Sequence, residues 1–167
     1  MELKKFTRLS MFLALSVVLN LIENVIPLFN GQLAGIKLGL ANIVIMVVLY
    51  SYTFKDALFI SIDRVFLVGI LKTGLFSITF FFSISGAILS IIAMSLAKKT
   101  KLSIIGVSIV GSIFHSIGQI IVLYIYLNTI NAFYYLPIIL IVSIPTGILT
   151  GVITKELLKN ISLDIDK

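Results

Sequence analysis

The chain contains no cysteine among its 167 residues, so disulfide bonds, thiol chemistry and thiolate metal sites are excluded. Charged residues are also scarce, at 12%, whereas hydrophobic residues make up 59%. A soluble domain cannot leave that much apolar surface in water. Together with a mean hydropathy of +1.18, these values predict an integral membrane protein.

Motifs for nucleotide and diphosphate chemistry are missing as well. No G-x-x-x-x-G-K-[ST] loop occurs, because the segment from Gly31 to Lys37 has the wrong spacing, so the chain cannot use ATP through that route. The acidic residues are scattered and form none of the aspartate clusters that hold magnesium diphosphate. We therefore expect no catalytic residues, no enzymatic activity and no cofactor.

Long apolar stretches fill most of the sequence. Residues 43–49 and 138–142 are apolar on every side, whereas the strands of a membrane β-barrel alternate apolar and polar residues. A helix needs about 20 apolar residues to cross the hydrocarbon core, so the length predicts roughly six crossings with short loops. We expect one membrane domain over residues 1–167, an all-α bundle with spans at residues 8–26, 35–52, 55–71, 75–97, 103–127 and 133–158.

The net charge of +6 lies mainly at the termini and in alternate predicted loops. Cytoplasmic loops carry such an excess of Lys and Arg, so the charge reflects membrane topology and predicts no nucleic-acid partner. In the predicted topology one side of the membrane holds Lys37 and Lys72, and the opposite side holds most of the basic residues. They are Lys4, Lys5, Arg8, Lys55, Lys98, Lys99, Lys101, Lys155 and Lys159. The sequence thus predicts a multi-pass protein of the cell membrane with both termini in the cytoplasm.

A polar stripe runs along the end of the first span. It consists of Ser16, Asn20, Glu23 and Asn24. Asn20 follows Ser16 by four residues, and Glu23 and Asn24 follow Asn20 by three and four, which places all of them on one helix face. A carboxylate inside the membrane needs a partner, a proton or an aqueous cavity. Lys37 lies across the connecting loop, so the sequence allows either a Glu23–Lys37 pair that closes the loop or contact of Glu23 with a substrate.

A second polar stripe lies on span five. Ser108, Ser112, His115 and Gln119 follow one another at increments of four, three and four residues, so they share a face that points to the bundle interior. His115 is the only histidine of the chain, and we expect no metal site. The pattern fits ligand binding through His115 and Gln119 and hydrogen bonding between helices equally well.

Two charged neighbours lie inside span three. Asp63 and Arg64 are about 100° apart around a helix, so their side chains diverge and do not simply neutralise each other. The guanidinium of Arg64 is suited to a carboxylate or a phosphate. The alternative is a buried charge network that joins Arg64 to Glu23 or to carbonyl groups.

Small residues mark positions where membrane helices can approach closely. Span six carries Gly147-x-x-x-Gly151, for which packing within the monomer is favoured over contact with a partner protein. Span one carries Ser10-x-x-x-Ala14, a pair of small residues one helical turn apart.

Several motifs run in order through nearly the whole chain. They are Leu21-Ile22-Glu23, Gly35-Ile36-Lys37-Leu38-Gly39-Leu40-Ala41-Asn42-Ile43, Arg64-Val65, Ile105-Gly106-Val107-Ser108, His115-Ser116-Ile117-Gly118-Gln119, Tyr135-Leu136-Pro137 and Thr146-Gly147-Ile148-Leu149-Thr150-Gly151. On these residues the sequence resembles the Gx transporter family, which is also labelled heptaprenyl diphosphate synthase component I. Its members look like substrate-binding S components of energy-coupling-factor (ECF) transporters.

The resemblance implies a six-helix membrane protein that binds a small nutrient from outside, with the loop after span one as a gate. Similar proteins dock through small residues of the first helix, here Ser10 and Ala14, onto a membrane coupling subunit that two cytoplasmic ATPases drive. The expected partners are therefore a small-molecule substrate, the lipid bilayer, a coupling subunit and two ATPases.

The expected binding site combines the polar residues of several spans. Its members are Glu23, Asn24, Lys37, Asn42, Arg64, His115 and Gln119. Their charges favour a ligand with an anionic group and an apolar or aromatic body, related to vitamins, quinones or isoprenoids. The alternative function is a non-catalytic membrane subunit that assists prenyl diphosphate or menaquinone synthesis or a membrane redox pathway.

Overall fold

The computed structural model describes residues 3–23 and 39–160, with the backbone alone for residues 130–132. Within these ranges the chain forms six α-helices: α1 (Leu3–Glu23), α2 (Leu40–Ser51), α3 (Phe54–Val68), α4 (Ile78–Lys98), α5 (Ile104–Leu127) and α6 (Leu136–Asn160). A π-helix, Gly69–Thr73, continues α3, and a 3-10 helix, Ile130–Tyr135, precedes α6. The predicted all-helical class and the six helices are confirmed for this part of the chain.

Four segments are long and apolar enough to cross a membrane: Leu3–Glu23, Ile78–Lys98, Ile104–Leu127 and Phe133–Asn160. They support a multi-pass membrane protein. Helices α2 and α3 have 12 and 15 residues, so they rise about 18 and 22 Å, which is less than the hydrocarbon core of about 30 Å. The second predicted span begins at residue 35, which lies outside the described residues, and the third continues past α3 in the π-helix.

Side-chain caps explain where three of the helices begin. Thr53 accepts a hydrogen bond from the backbone N–H of Asp56 at 3.3 Å, and the Asp56 carboxylate accepts one from the Thr53 N–H at 3.1 Å. Ser77 and Ser103 each accept one from the N–H three residues further on, both at 3.2 Å. These residues satisfy N–H groups that have no partner within the helix.

Helix α2 lies at the centre of the bundle. Its residues 43–49 are all buried, because α1, α3 and α6 pack around it. Side chains of α2 to α5 form the main hydrophobic core, with Ile45, Leu49, Ile60 and Ile91 among the most deeply buried. The apolar stretch of α2 therefore faces protein on every side.

Lysines gather at the end of the bundle where α2 terminates. The Lys98 ammonium donates a hydrogen bond to the Leu49 carbonyl at 2.8 Å and lies 4.9 Å from the centre of the Tyr50 ring. The Lys5 ammonium lies 2.8 Å from the carboxylate of Asp56. These contacts join α4 to the end of α2 and α1 to the beginning of α3, on the side that the charge pattern predicts to be cytoplasmic.

Candidate functional site

The helices surround a cavity of about 70 Å³ that is lined by both polar and apolar side chains, and each of the six contributes to its wall. The hydrophobic core closes one end, where Met46 and Met94 belong both to the wall and to the core. Polar groups inside a membrane bundle mark a ligand or ion path by default. The polar wall consists mainly of Asn20, Glu23, Asn42, Arg64, Ser83, Ser90, Ser108, Ser112, His115, Ser116, Ser143, Thr146 and Thr150.

Arg64 of α3 is the buried cation of this wall and exposes 3% of its surface. Its Nη1 donates a hydrogen bond to the side-chain oxygen of Asn42 at 3.3 Å, whereas its Nε has no hydrogen-bond partner among the described residues. Glu23 interacts favourably with Arg64 through its charge. The arginine therefore has one side-chain acceptor and a favourable charge interaction, while its Nε has no acceptor in the part of the chain that the structure describes.

Glu23 ends α1 and exposes 5% of its surface. Its carboxylate accepts a hydrogen bond from the backbone N–H of Gly39, which caps the N-terminus of α2. The positive end of the helix dipole lies at that terminus and further stabilises a carboxylate. Glu23 thus fastens the end of α1 to the beginning of α2, at the rim of the cavity.

Gly39 permits this contact because of its backbone conformation. Its φ is +79°, a left-handed value, and a Cβ added there would lie 3.1 Å from Cγ2 of Thr150. Gly39→Ala should therefore destabilise the fold by about 1–2 kcal/mol, measured by denaturant unfolding in detergent. Gly39→Ala combined with Thr150→Ser is the matched variant, because the serine lacks the Cγ2 that the added Cβ would meet, so its loss relative to Thr150→Ser alone should be smaller. Equal losses in both variants would contradict a role for the Thr150 contact.

Three residues of the polar stripe on α5 belong to the cavity wall, and the fourth lies in the buried layer behind that wall. Ser108, Ser112 and His115 belong to the cavity wall. Gln119 is buried outside that wall, with its Nε2 3.4 Å from Nε2 of His115. The stripe faces the bundle interior as the spacing predicts, and Gln119 contacts His115 rather than the cavity.

Helix α6 packs tightly against the same face of α5. The hydroxyls of Ser108 and Thr150 lie 2.7 Å apart, and Ser112 donates a hydrogen bond to the Ser143 carbonyl at 2.8 Å. A Cβ on Gly147 would lie 2.8 Å from Cα of Ile109. The small residues of α6 therefore serve packing within the monomer, as the sequence favours.

His115 lies directly over a glycine of α4. A Cβ added to Gly86 would come within 2.7–2.9 Å of three atoms of the His115 ring, so only glycine leaves room for the ring in this position. The imidazole has two nitrogens that can donate or accept hydrogen bonds, depending on the tautomer. Gly86 thus leaves the space against α4 that the His115 ring occupies.

Gly86→Ala is expected to displace the His115 ring and weaken retention of a bound small molecule roughly 2- to 10-fold, the value of one hydrogen bond. Native mass spectrometry of the detergent-purified protein measures the ligand-bound fraction. His115→Ala should give a similar loss, and the double variant should lose little more than either single variant. Gly106→Ala is the control, because atoms around Gly106 lie at 3.4 Å or more. Unchanged retention in both Gly86→Ala and His115→Ala would contradict the assignment of His115.

The remaining predicted residues are not among the described residues of the cavity wall. Asn24 and Lys37 fall outside the described residues, so their part in the site stays a prediction. Asp63 is half-buried and lies outside the cavity wall, which agrees with its predicted divergence from Arg64. Ser10 and Ala14 are exposed on α1, where they are open to lipid or to a partner.

Sequence reasoning missed two serines of α4 in the wall. Ser83 and Ser90 are seven residues apart, which is two helical turns, so a search for polar residues at that spacing in span four finds them. Thr73 is also in the wall and was missed, because it lies in the π-helix that follows α3. The wider turn of a π-helix changes which residues share a face, and span prediction assumes α-helical geometry.

Within residues 3–23 and 39–160, no three His, Asp or Glu side chains are grouped so that they could hold a metal ion. Among the residues described, the cavity wall therefore offers hydrogen-bonding side chains together with the charged side chains of Arg64 and Glu23. Such a wall can bind and orient a small polar group.

Comparison with protein families gives a match to heptaprenyl diphosphate synthase component I over residues 12–157. No curated protein and no solved structure matches the chain. The family match reaches all six helices and confirms the family that the motifs indicate. The chain is a helical membrane protein that belongs to the heptaprenyl diphosphate synthase component I family.

Proposed function

We propose that the chain is the substrate-binding membrane subunit, or S component, of an ATP-driven uptake transporter of the ECF type. The observation that carries this proposal is the cavity walled by all six helices, whose lining includes the polar side chains of Arg64, Glu23, Asn42 and His115. Polar groups are costly inside a membrane bundle, and a ligand is the usual reason for them. The substrate is a small molecule related to vitamins, quinones or isoprenoids.

The position of the cavity supports uptake from outside. The hydrophobic core separates it from the lysine-rich end of the bundle, which the charge pattern predicts to be cytoplasmic. Its other end lies where α1 finishes at Glu23 and α2 begins after Gly39. The loop after span one, which the family resemblance implies to be the gate, lies outside the described residues, so its role stays part of the proposal.

Energy has to come from partners, because the sequence lacks the phosphate-binding loop of ATPases. A membrane coupling subunit with two cytoplasmic ATPases would supply it. Helix α1 is the natural docking element, since Ser10 and Ala14 are exposed one turn apart on it. Small residues allow a partner helix to approach closely.

The family description favours a second candidate. In this second candidate function, the chain is a non-catalytic membrane subunit that assists prenyl diphosphate or menaquinone synthesis or a membrane redox pathway. Catalysis would then belong to a soluble partner, because the scattered acidic residues of this chain do not form a magnesium diphosphate site.

Co-purification separates the two candidates. The tagged full chain is extracted from its native membranes in mild detergent, and the associated proteins are identified by mass spectrometry. A coupling protein with two ATPases supports the transporter, whereas a soluble prenyl synthase without ATPases overturns it. Ser10→Leu should reduce recovery of the coupling protein, and Met11→Phe, an exposed neighbour on α1, should not.

A further inference from the structure

We propose, building on the substrate-binding function above, that Ser90 of α4 is a substrate-binding residue at the inner end of the cavity. Its hydroxyl forms a hydrogen bond with a polar atom at the end of the substrate that enters first. The burial of this hydroxyl, its lack of a partner and its place in the cavity wall lead to the assignment.

Ser90 differs from the other buried hydroxyl residues of the described wall. It is 3% exposed, and its hydroxyl has no hydrogen-bond partner within residues 3–23 and 39–160. A serine inside a helix can donate to a carbonyl one turn earlier, and Ser90 does not do so. The four other buried residues of the described wall that carry hydroxyls each have a partner, and they are Ser108, Ser116, Ser143 and Thr150.

The Ser90 hydroxyl is turned toward α5. Its oxygen lies 3.2 Å from the position that a Cβ would take on Gly111, and Cγ and Sδ of Met94 lie 2.5 and 2.6 Å from the same position. All three residues belong to the cavity wall. The hydroxyl therefore borders the space that the missing side chain of Gly111 leaves between the two helices.

Ser90 lies at the inner end of the cavity. On α4 the wall includes Ser83, Ser90 and Met94, and the His115 ring lies against Gly86, between the two serines. Seven helical residues rise about 10 Å, so Ser90 is about 10 Å deeper along α4 than Ser83. Met94, one turn further, belongs to the hydrophobic core as well. Ser90 is thus the last polar side chain of α4 in the wall before the core.

This position indicates which end of the substrate enters first. A buried hydroxyl without a partner is unfavourable, and a hydrocarbon end placed against Ser90 would leave it in that state. A hydroxyl, a carbonyl, an amine or a ring nitrogen satisfies it, because serine can both donate and accept. Charged and neutral groups of this kind serve equally. The leading end of the substrate is therefore polar, and an isoprenoid-like chain does not enter first.

A single thiol tests whether small molecules reach position 90, because the chain contains no cysteine. The purified full chain with Ser90→Cys is treated in detergent with methyl methanethiosulfonate, a small uncharged reagent. It converts an accessible thiol to a methyl disulfide and releases methanesulfinate, and the intact mass of the protein follows the reaction. Thr154→Cys is the matched control, since the Thr154 hydroxyl is fully buried and has no partner among the described residues but lies outside the wall.

We expect the thiol at position 90 to react at least about 10-fold faster than the thiol at position 154. Ser83→Cys, at a half-buried position of the wall, should react faster still. Equal rates at positions 90 and 154 would overturn the proposal. If position 83 reacted in that case, the cavity would end before Ser90, and if it did not, the cavity would be closed to small molecules.

Thermal unfolding distinguishes a substrate contact from a structural one. Ser90→Ala should leave the unfolding midpoint unchanged or raise it, because it removes a buried hydroxyl that has no partner among the described residues. Ser108→Ala should lower the midpoint by about 2–4 °C, because it removes the bond to Thr150. Far-UV circular dichroism of the detergent-purified full chain measures both. An equal loss in Ser90→Ala would show that its hydroxyl serves the fold, which would overturn the proposal.

These tests are independent of the transport assembly. They use the purified chain without partners, so a negative result at Ser90 would leave the co-purification result intact. Conversely, recovery of a prenyl synthase without ATPases would overturn the transport function. Ser90 would then remain the inner contact for a small molecule in the cavity of an accessory subunit.

Discussion

Arg64→Gln is expected to lower the free energy of unfolding by about 1.5–3 kcal/mol, because it removes the charged donor to the side-chain oxygen of Asn42 and a favourable charge interaction with Glu23. Glu23→Gln should cost a similar amount, because the Gly39 N–H loses its charged acceptor and the buried Arg64 loses the favourable charge of Glu23. The double variant should lose much less free energy of unfolding than the sum of the losses in the two single variants. Unfolding in mixed detergent–SDS micelles, followed by far-UV circular dichroism, measures all three, and this probe suits a helical chain that has no tryptophan.

Asp63→Asn is the matched control for this cycle. Asp63 precedes Arg64 on the same helix, is half-buried and lies outside the cavity wall. Removing its charge should change the free energy of unfolding by less than about 1 kcal/mol. If the losses from Arg64→Gln and Glu23→Gln were additive in the double variant, the two residues would not act as a pair.

The same pair shows what the sequence could and could not decide about the site. The stripe spacing on the first span and the position of Arg64 inside span three marked both side chains as candidate site residues, with a structural role left open for each. Spacing alone could not select the partner of Glu23, for which substrate, Lys37 and Arg64 were all open. The structure places Glu23 and Arg64 in one cavity wall, joined through the first turn of α2.

The fold was more predictable than the site, because burial in lipid imposes long apolar runs on the chain. Predicted spans four and five agree with α4 and α5 to within three residues at each end. Short or irregular elements were harder to predict from the sequence. Helix α2 begins at Leu40 rather than near residue 35, and the π-helix after Val68 has no apolar signature of its own.

Hydrogen-bonding roles were the least predictable feature. Ser108 and Ser112 follow the same stripe as His115, yet both also bind α6 through their hydroxyls. A serine in a membrane helix can satisfy its hydroxyl with its own helix, a neighbouring helix or a ligand, and these choices leave the same pattern in the sequence. Three-dimensional contacts are needed to separate them.

The closest approach of α4 and α5 gives the last prediction, for Gly118→Ala. An added Cβ would lie 2.8 Å from the Ser85 carbonyl oxygen and 2.9 Å from the backbone N and Cα of Gly86. These are backbone atoms, so the two helices would have to move apart, and the hydrogen bond from the Ser85 hydroxyl to the Gly118 carbonyl, now 2.9 Å, would lengthen. We expect a loss of about 2–4 kcal/mol in the free energy of unfolding, measured in the same mixed micelles.

Gly106→Ala on the same helix serves as the control. Its added Cβ would meet its nearest neighbours, in Leu102 and Ser103, at 3.4–3.6 Å, which is ordinary contact. Alanine is the better helix former by about 1 kcal/mol, so this variant should be as stable as the wild type or more stable. If Gly118→Ala were equally well tolerated, α4 and α5 would not need glycine at their crossing. The position of His115 over Gly86, on which the cavity wall depends, would then rest on other contacts.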